Sequence, residues 1–393
     1  MSFQDTLKAQ RHVLRDFGMY VAFVVIVVFF TITTKGLFLS SRNIGNLVNA
    51  ASYIAVLAVG MTLVIVIRHI DLSVGFLAGT LGAIAAIAMK YWGLPVGATI
   101  PMVLVIGAIA GLFTGYLIAQ VRIPAFVATL GGWLFYKGVL QLVTRSTGTI
   151  IIDNKIFNAL GNGFIPDLPE IGFLPGVHKI TLLLGILAIV LFVTSDLRNR
   201  RKTQEYHFAV LPMNVYILKL AFISIVIAAI TWVLAGYQGL SWAAVVLAGV
   251  VLIYSYITTR TVVGRHIYAV GGNPEAAELN GISVKKITFL VFGSMGLMTA
   301  VSGILYASWL RSATTIAGTG MEFDAIGAAI VGGVAVAGGS GKVSGSILGA
   351  LVMASLTNGM NLLGWDISIQ YMVRAAVLVS AVIFDVTTRR KGK

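Results

Sequence analysis

The chain has 393 residues, 58% of them hydrophobic and only 11% charged, where an ordinary soluble domain is about one quarter charged. So little charge cannot hold a globule of this size in water, which excludes a cytosolic enzyme, a disordered chain and a secreted scaffold and leaves the bilayer as solvent. The net charge of +14 would fit a nucleic-acid binder only if the cations formed a patch, whereas they gather at the ends of apolar stretches. The chain contains no cysteine, so disulfides, thiolate metal sites and a cysteine nucleophile are out of reach.

A membrane helix needs about 20 predominantly apolar residues. Twelve stretches approach or meet that length, near 17–34, 47–67, 70–89, 95–119, 124–143, 179–194, 214–235, 241–258, 287–309, 325–338, 343–363 and 369–385. They are continuous rather than alternating, so the predicted fold is all-α, a polytopic transmembrane helical bundle of about 12 spans. The first follows Lys8, Arg11 and Arg15 like a signal peptide, but Thr34-Lys35-Gly36 is no cleavage site, and it reads as a retained helix. The tenth is short and glycine-rich and reads as a broken or partial span.

The connections carry the orientation. Counting cations with the N-terminus cytoplasmic puts Lys8, Arg11 and Arg15, the run Arg198, Arg200, Arg201 and Lys202, the pair Lys285 and Lys286, and Arg389 and Arg390 on the inside. That predicts both termini in the cytoplasm and a single transmembrane permease domain over 1–393. Residues 144–178, with Pro166, Pro169 and Pro175, form an outer loop or cap. Residues 195–213 form a basic cytoplasmic link, and 259–286 the one cytoplasmic loop with helix-forming content in its middle.

Catalysis would need converging nucleophile, base and metal ligands, and none converge here. The histidines are scattered, without an i, i+4 partner for zinc. Gly338-Gly339-Ser340-Gly341-Lys342 imitates a phosphate loop, yet valine stands at 336 and 343 where that motif wants glycine and a hydroxyl, and no strand precedes it. The expectation is a transport subunit rather than an enzyme, with no cofactor and no metal. Lys137, Lys219 and Arg374 lie near the ends of their stretches and are expected to snorkel to the interface, with no acidic partner in mid-span. Asp71 and Asp324 each open a stretch rich in small residues, either capping free amides there or lining a solute path. The two segments echo each other and would enter the membrane from opposite sides, as an inverted repeat does.

Two glycine runs spaced by four, Gly107, Gly111, Gly115 and Gly341, Gly345, Gly349, give smooth helix faces for close packing, and Gly75 and Gly79 do the same. In the cytoplasmic loop Asn273 is a good N-cap, Pro274 a good first helical residue, Glu275 favours the dipole and Gly281 supplies the stop. The predicted helix runs over about 274–281, with Ala276 and Ala277 on an exposed face. So short a helix needs something to pack on.

That loop, Gly264-Arg265-His266-Ile267-Tyr268 through Gly272-Asn273-Pro274-Glu275-Ala276-Ala277-Glu278 to Gly281-Ile282, resembles the coupling segment of the monosaccharide permeases of ATP-binding-cassette importers. His69-Ile70-Asp71-Leu72-Ser73-Val74-Gly75 and Phe323-Asp324-Ala325-Ile326-Gly327 look like two further signatures of that family. The added pair of stretches around 195–213 is similar to the xylose and multiple-monosaccharide permeases. The resemblance implies a homodimer in the bacterial inner membrane, a separate ATPase docked on Gly272, Asn273, Pro274, Glu275, Ala276, Ala277, Glu278 and Gly281, and an extracytoplasmic sugar-binding protein. A sugar needs hydrogen-bond partners and an aromatic face, which makes Asp71, Ser73, Trp133, Asp324, Asn358 and Asn361 the candidates for the translocation path, Trp133 also being a natural packing aromatic. The competing classes are an ion-coupled secondary transporter, which would need titratable mid-span groups, and a membrane-embedded transferase, which would need a catalytic cluster at one interface.

Overall fold

The computed structural model describes residues 20–169, 175–206, 210 and 212–390. Lys8, Arg11 and Arg15, part of the predicted outer loop, and His207 in the basic link lie outside the described residues.

Helix α1 runs over Tyr20–Thr33. It is followed by α2 (Ser41–Val66), α3 (Val74–Lys90), α4 (Val96–Ala119) and α5 (Ala125–Thr144). A short strand β1 (Thr149–Ile151) and α6 (Lys155–Asn162) come next, then α7 (Lys179–Glu205), α8 (Met213–Ala235) and α9 (Trp242–Arg260). The predicted cytoplasmic loop holds two helices, α10 (Val262–Gly272) and α11 (Pro274–Leu279). The chain closes with α12 (Val284–Leu310), strand β2 (Ser312–Thr314), α13 (Met321–Val331), α14 (Val343–Leu362) and α15 (Ile367–Arg390).

Each of the twelve predicted stretches carries a helix, and nine helices among the described residues are long and apolar enough to cross a membrane. Three are shorter: α1, α3 and α13. At 1.5 Å per residue α13 covers roughly 16 Å, about half a bilayer core. The predicted outer cap contains β1 and α6. β1 pairs antiparallel with β2, Ile150 opposite Ala313, and so ties the end of α5 to the end of α12.

The described chain divides into two compact units. The larger takes in α1, most of α2, α3–α6 and α9–α15; the smaller takes in Leu39–Asn46 and Phe164–Ser241, and so α7 and α8. In the smaller unit α7 packs on α8 with Gly185 against Thr231. Lys219 on α8 does not snorkel alone: it pairs with Asp196 on α7 at 3.0 Å.

In the larger unit the glycine stripes do what their spacing predicts, except that Gly341 stands in the turn before α14 and not on its face. A Cβ on Gly111 would run into the carbonyl of Phe292, and Cβ atoms on Gly107 and Gly115 would crowd Ala300 and Phe289, so α4 lies directly on α12. Gly345 and Gly349 bring α14 equally close to Gly332 and Ala328 at the end of α13. With lipid as apolar as the side chains, this close van der Waals contact is what holds the helices together. Lys35, Arg68, Arg122 and Arg311 all have positive φ, and each stands just past the end of a helix. His69 N–H returns to Val64 O at 3.0 Å and Arg68 N–H to Ile65 O at 2.9 Å, the hydrogen-bond pair of a left-handed helix stop.

Candidate functional site

The loop before α3 turns on Asp71. Its Oδ1 accepts from Ser73 N–H at 2.9 Å and from Ser73 Oγ at 2.6 Å. Asp71 therefore shapes an Asx turn and does not itself cap α3, whose N-cap, Ser73, makes no side-chain capping bond. Thr129 Oγ1 of α5 reaches Ile70 O at 3.4 Å, and Ser73 lies against Gly132. These contacts set the start of α3 beside the first half of α5.

The start of α13 meets the same place. Gly320, with φ +81°, precedes the first residue of α13, and Glu322 and Asp324 fall in its first turn. Gly75 and Gly318 touch backbone to backbone, and Glu322 Oε2 rests against Gly75, where a Cβ would overlap it. The beginnings of α3 and α13 are thus in direct contact, an arrangement that only glycine at 75 permits. The two echoing segments meet, but out of step: Asp71 precedes its helix while Asp324 lies inside its own.

Glu322 is 1% exposed and accepts a hydrogen bond from the Trp133 indole at 3.0 Å. Trp133 is therefore more than a packing ring: it donates to a buried acid, it meets Phe76 edge-on at 4.9 Å, and it carries Lys137 Nζ over its face at 5.0 Å. Glu322 did not stand out in the sequence, where it reads as one of several polar residues leading into a helix.

Asp324 is 7% exposed, and its Oδ2 takes Arg374 Nη1 of α15 at 3.3 Å. This corrects the expectation that Arg374 snorkels without an acidic partner. The two ends lie 50 residues apart in the chain, so no local spacing announces them. Breaking such a buried pair by removing one partner leaves an uncompensated charge. Three polar atoms of the group are buried without a hydrogen-bond partner among the described residues: Glu322 Oε2, Asp324 Oδ1 and Arg374 Nε. Of the other path candidates, Asn361 is exposed at the end of α14 and accepts from Gln370 Nε2 at 2.8 Å, outside this cluster. Asn358 is half-buried one turn earlier.

The predicted coupling segment is well formed. Asn273 Oδ1 accepts from Ala276 N–H at 3.1 Å as the N-cap of α11, and Gly281 takes φ +79° beyond its end. α11 ends at Leu279, two residues earlier than expected, because Asn280 N–H already turns back to Ala276 and Ala277. One expectation fails here. Ala277 is 4% exposed, its face packed toward α10 and α12, while Glu275, Glu278 and above all Leu279, 90% exposed, point outward. The surface a partner could touch is therefore charged with one leucine at its tip.

The Asp71 turn and the coupling segment are joined by Arg68. Its Nε donates to Gly271 O at 2.7 Å and its Nη2 to Gly272 O, the last carbonyls of α10. Gly339 N–H donates to Val66 O at 2.8 Å, and Tyr268 Oη to Gly341 O at 2.7 Å. Burial pushes the Tyr268 phenol up, so it remains a donor. The Gly338–Gly341 turn that imitates a phosphate loop is thus a strap across the end of α10.

A polytopic α-helical membrane protein with two short helices meeting at a buried acid has the form of a solute permease. Residues 43–382 match the family described as branched-chain amino acid transport system / permease component, and the chain belongs to it. It is 35% identical over 378 residues to the xylose transport system permease protein XylH of Haemophilus influenzae, covering 96% of this chain and 98% of that one. To XylH of Escherichia coli it is 36% identical over 379 residues, covering 96% and 93%. To the ribose import permease protein RbsC of Escherichia coli it is 32% identical over 350 residues, covering 88% and 87%. No solved structure matches it.

Proposed function

We propose that this chain is the membrane permease subunit of an ATP-driven importer of xylose or a closely related monosaccharide, in the bacterial inner membrane. The observation that carries the reading is similarity to xylose permeases along nearly the whole of both chains. The outward-facing Glu275, Glu278 and Leu279 of α11 support it, since they offer a separate ATPase a docking surface. Two copies of the chain would form the translocation unit, each with about 12 spans and both termini in the cytoplasm, and an extracytoplasmic binding protein would deliver the sugar.

Asp71, Ser73, Trp133 and Asp324 lie where α3, α5 and α13 meet and would border the path; Asn358 and Asn361 would belong to a different stretch of it. ATP binding on the partner would move α10 and α11, and the Arg68 clamp would carry that movement to the Asp71 turn. An importer driven this way needs no ion-binding relay of its own.

The test is purification from native membranes in mild detergent. A stoichiometric ATPase that stays with the chain, and sugar uptake that stops without ATP, are the expected results. Uptake by the chain alone that collapses with an uncoupler would overturn the reading in favour of an ion-coupled transporter.

A further inference from the structure

The buried polar group at the start of α13 has more hydrogen-bonding capacity than its surroundings use. Among the described residues Glu322 Oε2 and Asp324 Oδ1 are acceptors without a donor and Arg374 Nε a donor without an acceptor, all shielded from solvent. A buried polar atom without a partner is costly, and a well-packed protein does not keep three together without a use for them. Beside them lies a group of rings. Tyr53 meets Tyr306 at 5.1 Å and Trp309 at 5.7 Å, and Tyr306 stacks on Trp309 at 6.3 Å with 26° between planes. Tyr53 is within electrostatic reach of both Asp324 and Arg374, and Arg374 stands over the Tyr371 ring at 5.9 Å.

We propose that Glu322, Asp324 and Arg374, with the rings of Tyr53, Tyr306 and Trp309, form a subsite in the membrane for a neutral polyhydroxylated ring. Each sugar hydroxyl both donates and accepts, so it can satisfy a carboxylate oxygen and a guanidinium N–H in one site. The aromatic faces cover the apolar C–H faces of the ring. A metal cation fits poorly, because Arg374 repels it. An anion fits no better against two carboxylates. A zwitterionic amino acid could still reach the Nε and Nη2 edge of Arg374, since only Nη1 is engaged by Asp324, so the choice of a sugar rests on the aromatic faces and on the importer reading. Trp133 holds Glu322 from the other side, which leaves Oε2 as the atom the solute would meet once α3 and α13 part.

This inference rests on the importer reading, and the experiment separates the two. The chain, its ATPase and its sugar-binding protein are reconstituted in liposomes, and labelled xylose uptake and ATP hydrolysis are measured together for Glu322→Gln and Trp309→Leu. Glu322→Gln keeps an acceptor for Trp133 and the shape of the side chain. The expected result is uptake reduced about tenfold, the loss typical of one strong hydrogen bond, with hydrolysis still stimulated by the loaded binding protein. Sugar carried per ATP then falls, a ratio that a merely weakened fold does not move. Wild-type uptake in both variants overturns the subsite, and so does a proportional fall in uptake and hydrolysis. Absence of xylose uptake by the unaltered complex overturns the importer reading instead.

Discussion

Arg68 offers the sharpest test of how the coupling segment is held. Its guanidinium donates to the last two carbonyls of α10, while its own backbone sits at φ +67°. Hydrogen bonds from a charged donor contribute about 1.5–3 kcal/mol each, but Arg68 is exposed, so solvent screening brings the pair to about 2 kcal/mol. Loss of that amount makes local opening about 30-fold more frequent. Arg68→Ala loses the clamp and keeps the left-handed backbone. Arg68→Gly loses the clamp and relieves a conformational cost of about 1–2 kcal/mol. Hydrogen exchange over 262–273 and 335–342 should therefore accelerate by about 30-fold in both variants, with the glycine variant melting at the higher temperature. In the reconstituted importer both variants should hydrolyse ATP with less sugar carried per turnover. Unchanged exchange in both would show that Arg68 does not hold α10, and the link from the coupling helix to the Asp71 turn would fall with it.

Ala277→Arg should lower the yield of folded protein, because that side chain is buried, whereas Leu279→Asp should leave folding intact and abolish co-purification of the ATPase. The opposite pattern would mean that α11 presents its other face. Gly111→Val should cost about 1–3 kcal/mol or more by forcing α4 off the backbone of Phe292, seen as a lower melting midpoint in size-exclusion chromatography; an unchanged midpoint would refute the close approach. Desolvation, the largest single influence, raises the Asp167 carboxyl, but the amides of Ile180, Lys179 and Leu168 and the neighbouring His178 together outweigh it and hold the group down at about 2, below its ordinary 3.8. A depressed carboxyl stabilises above its unfolded value and loses that effect as pH falls, so the first turn of α7 should loosen between about pH 4 and about pH 2. Asp167→Asn should remove the pH dependence of the protection of the Lys179 and Ile180 amides, measured relative to their intrinsic exchange rates at each pH.

The helices, the close-packing glycines and the Asn273–Pro274 start of α11 were legible because each depends on neighbours within a few residues. An apolar run of about 20 residues has no other way to satisfy its backbone in lipid, and a cap needs only the next turn. What the sequence concealed depends on pairing at a distance. Arg374 looked like an interfacial cation because its acid lies on another helix, and Glu322 looked like a loop residue because Trp133, on α5, gives it its environment. The inward side of α11 was misjudged for the same reason: six residues have no periodicity of their own, and α10 and α12 decide which alanine is covered.

The four basic residues in left-handed backbone, Lys35, Arg68, Arg122 and Arg311, bear on how membrane orientation is inferred. A cation just past the last turn of a helix is favoured by the exposed carbonyls there, whichever leaflet that end meets. Charges placed for helix termination cast no vote on which side faces the cytoplasm. The evidence for orientation then rests on cations away from helix C-termini, chiefly the pair Lys285 and Lys286 at the start of α12, since the run from Arg198 to Lys202 closes α7 and reaches its last turn, and reversal experiments aimed at Lys285 and Lys286 would be the informative ones.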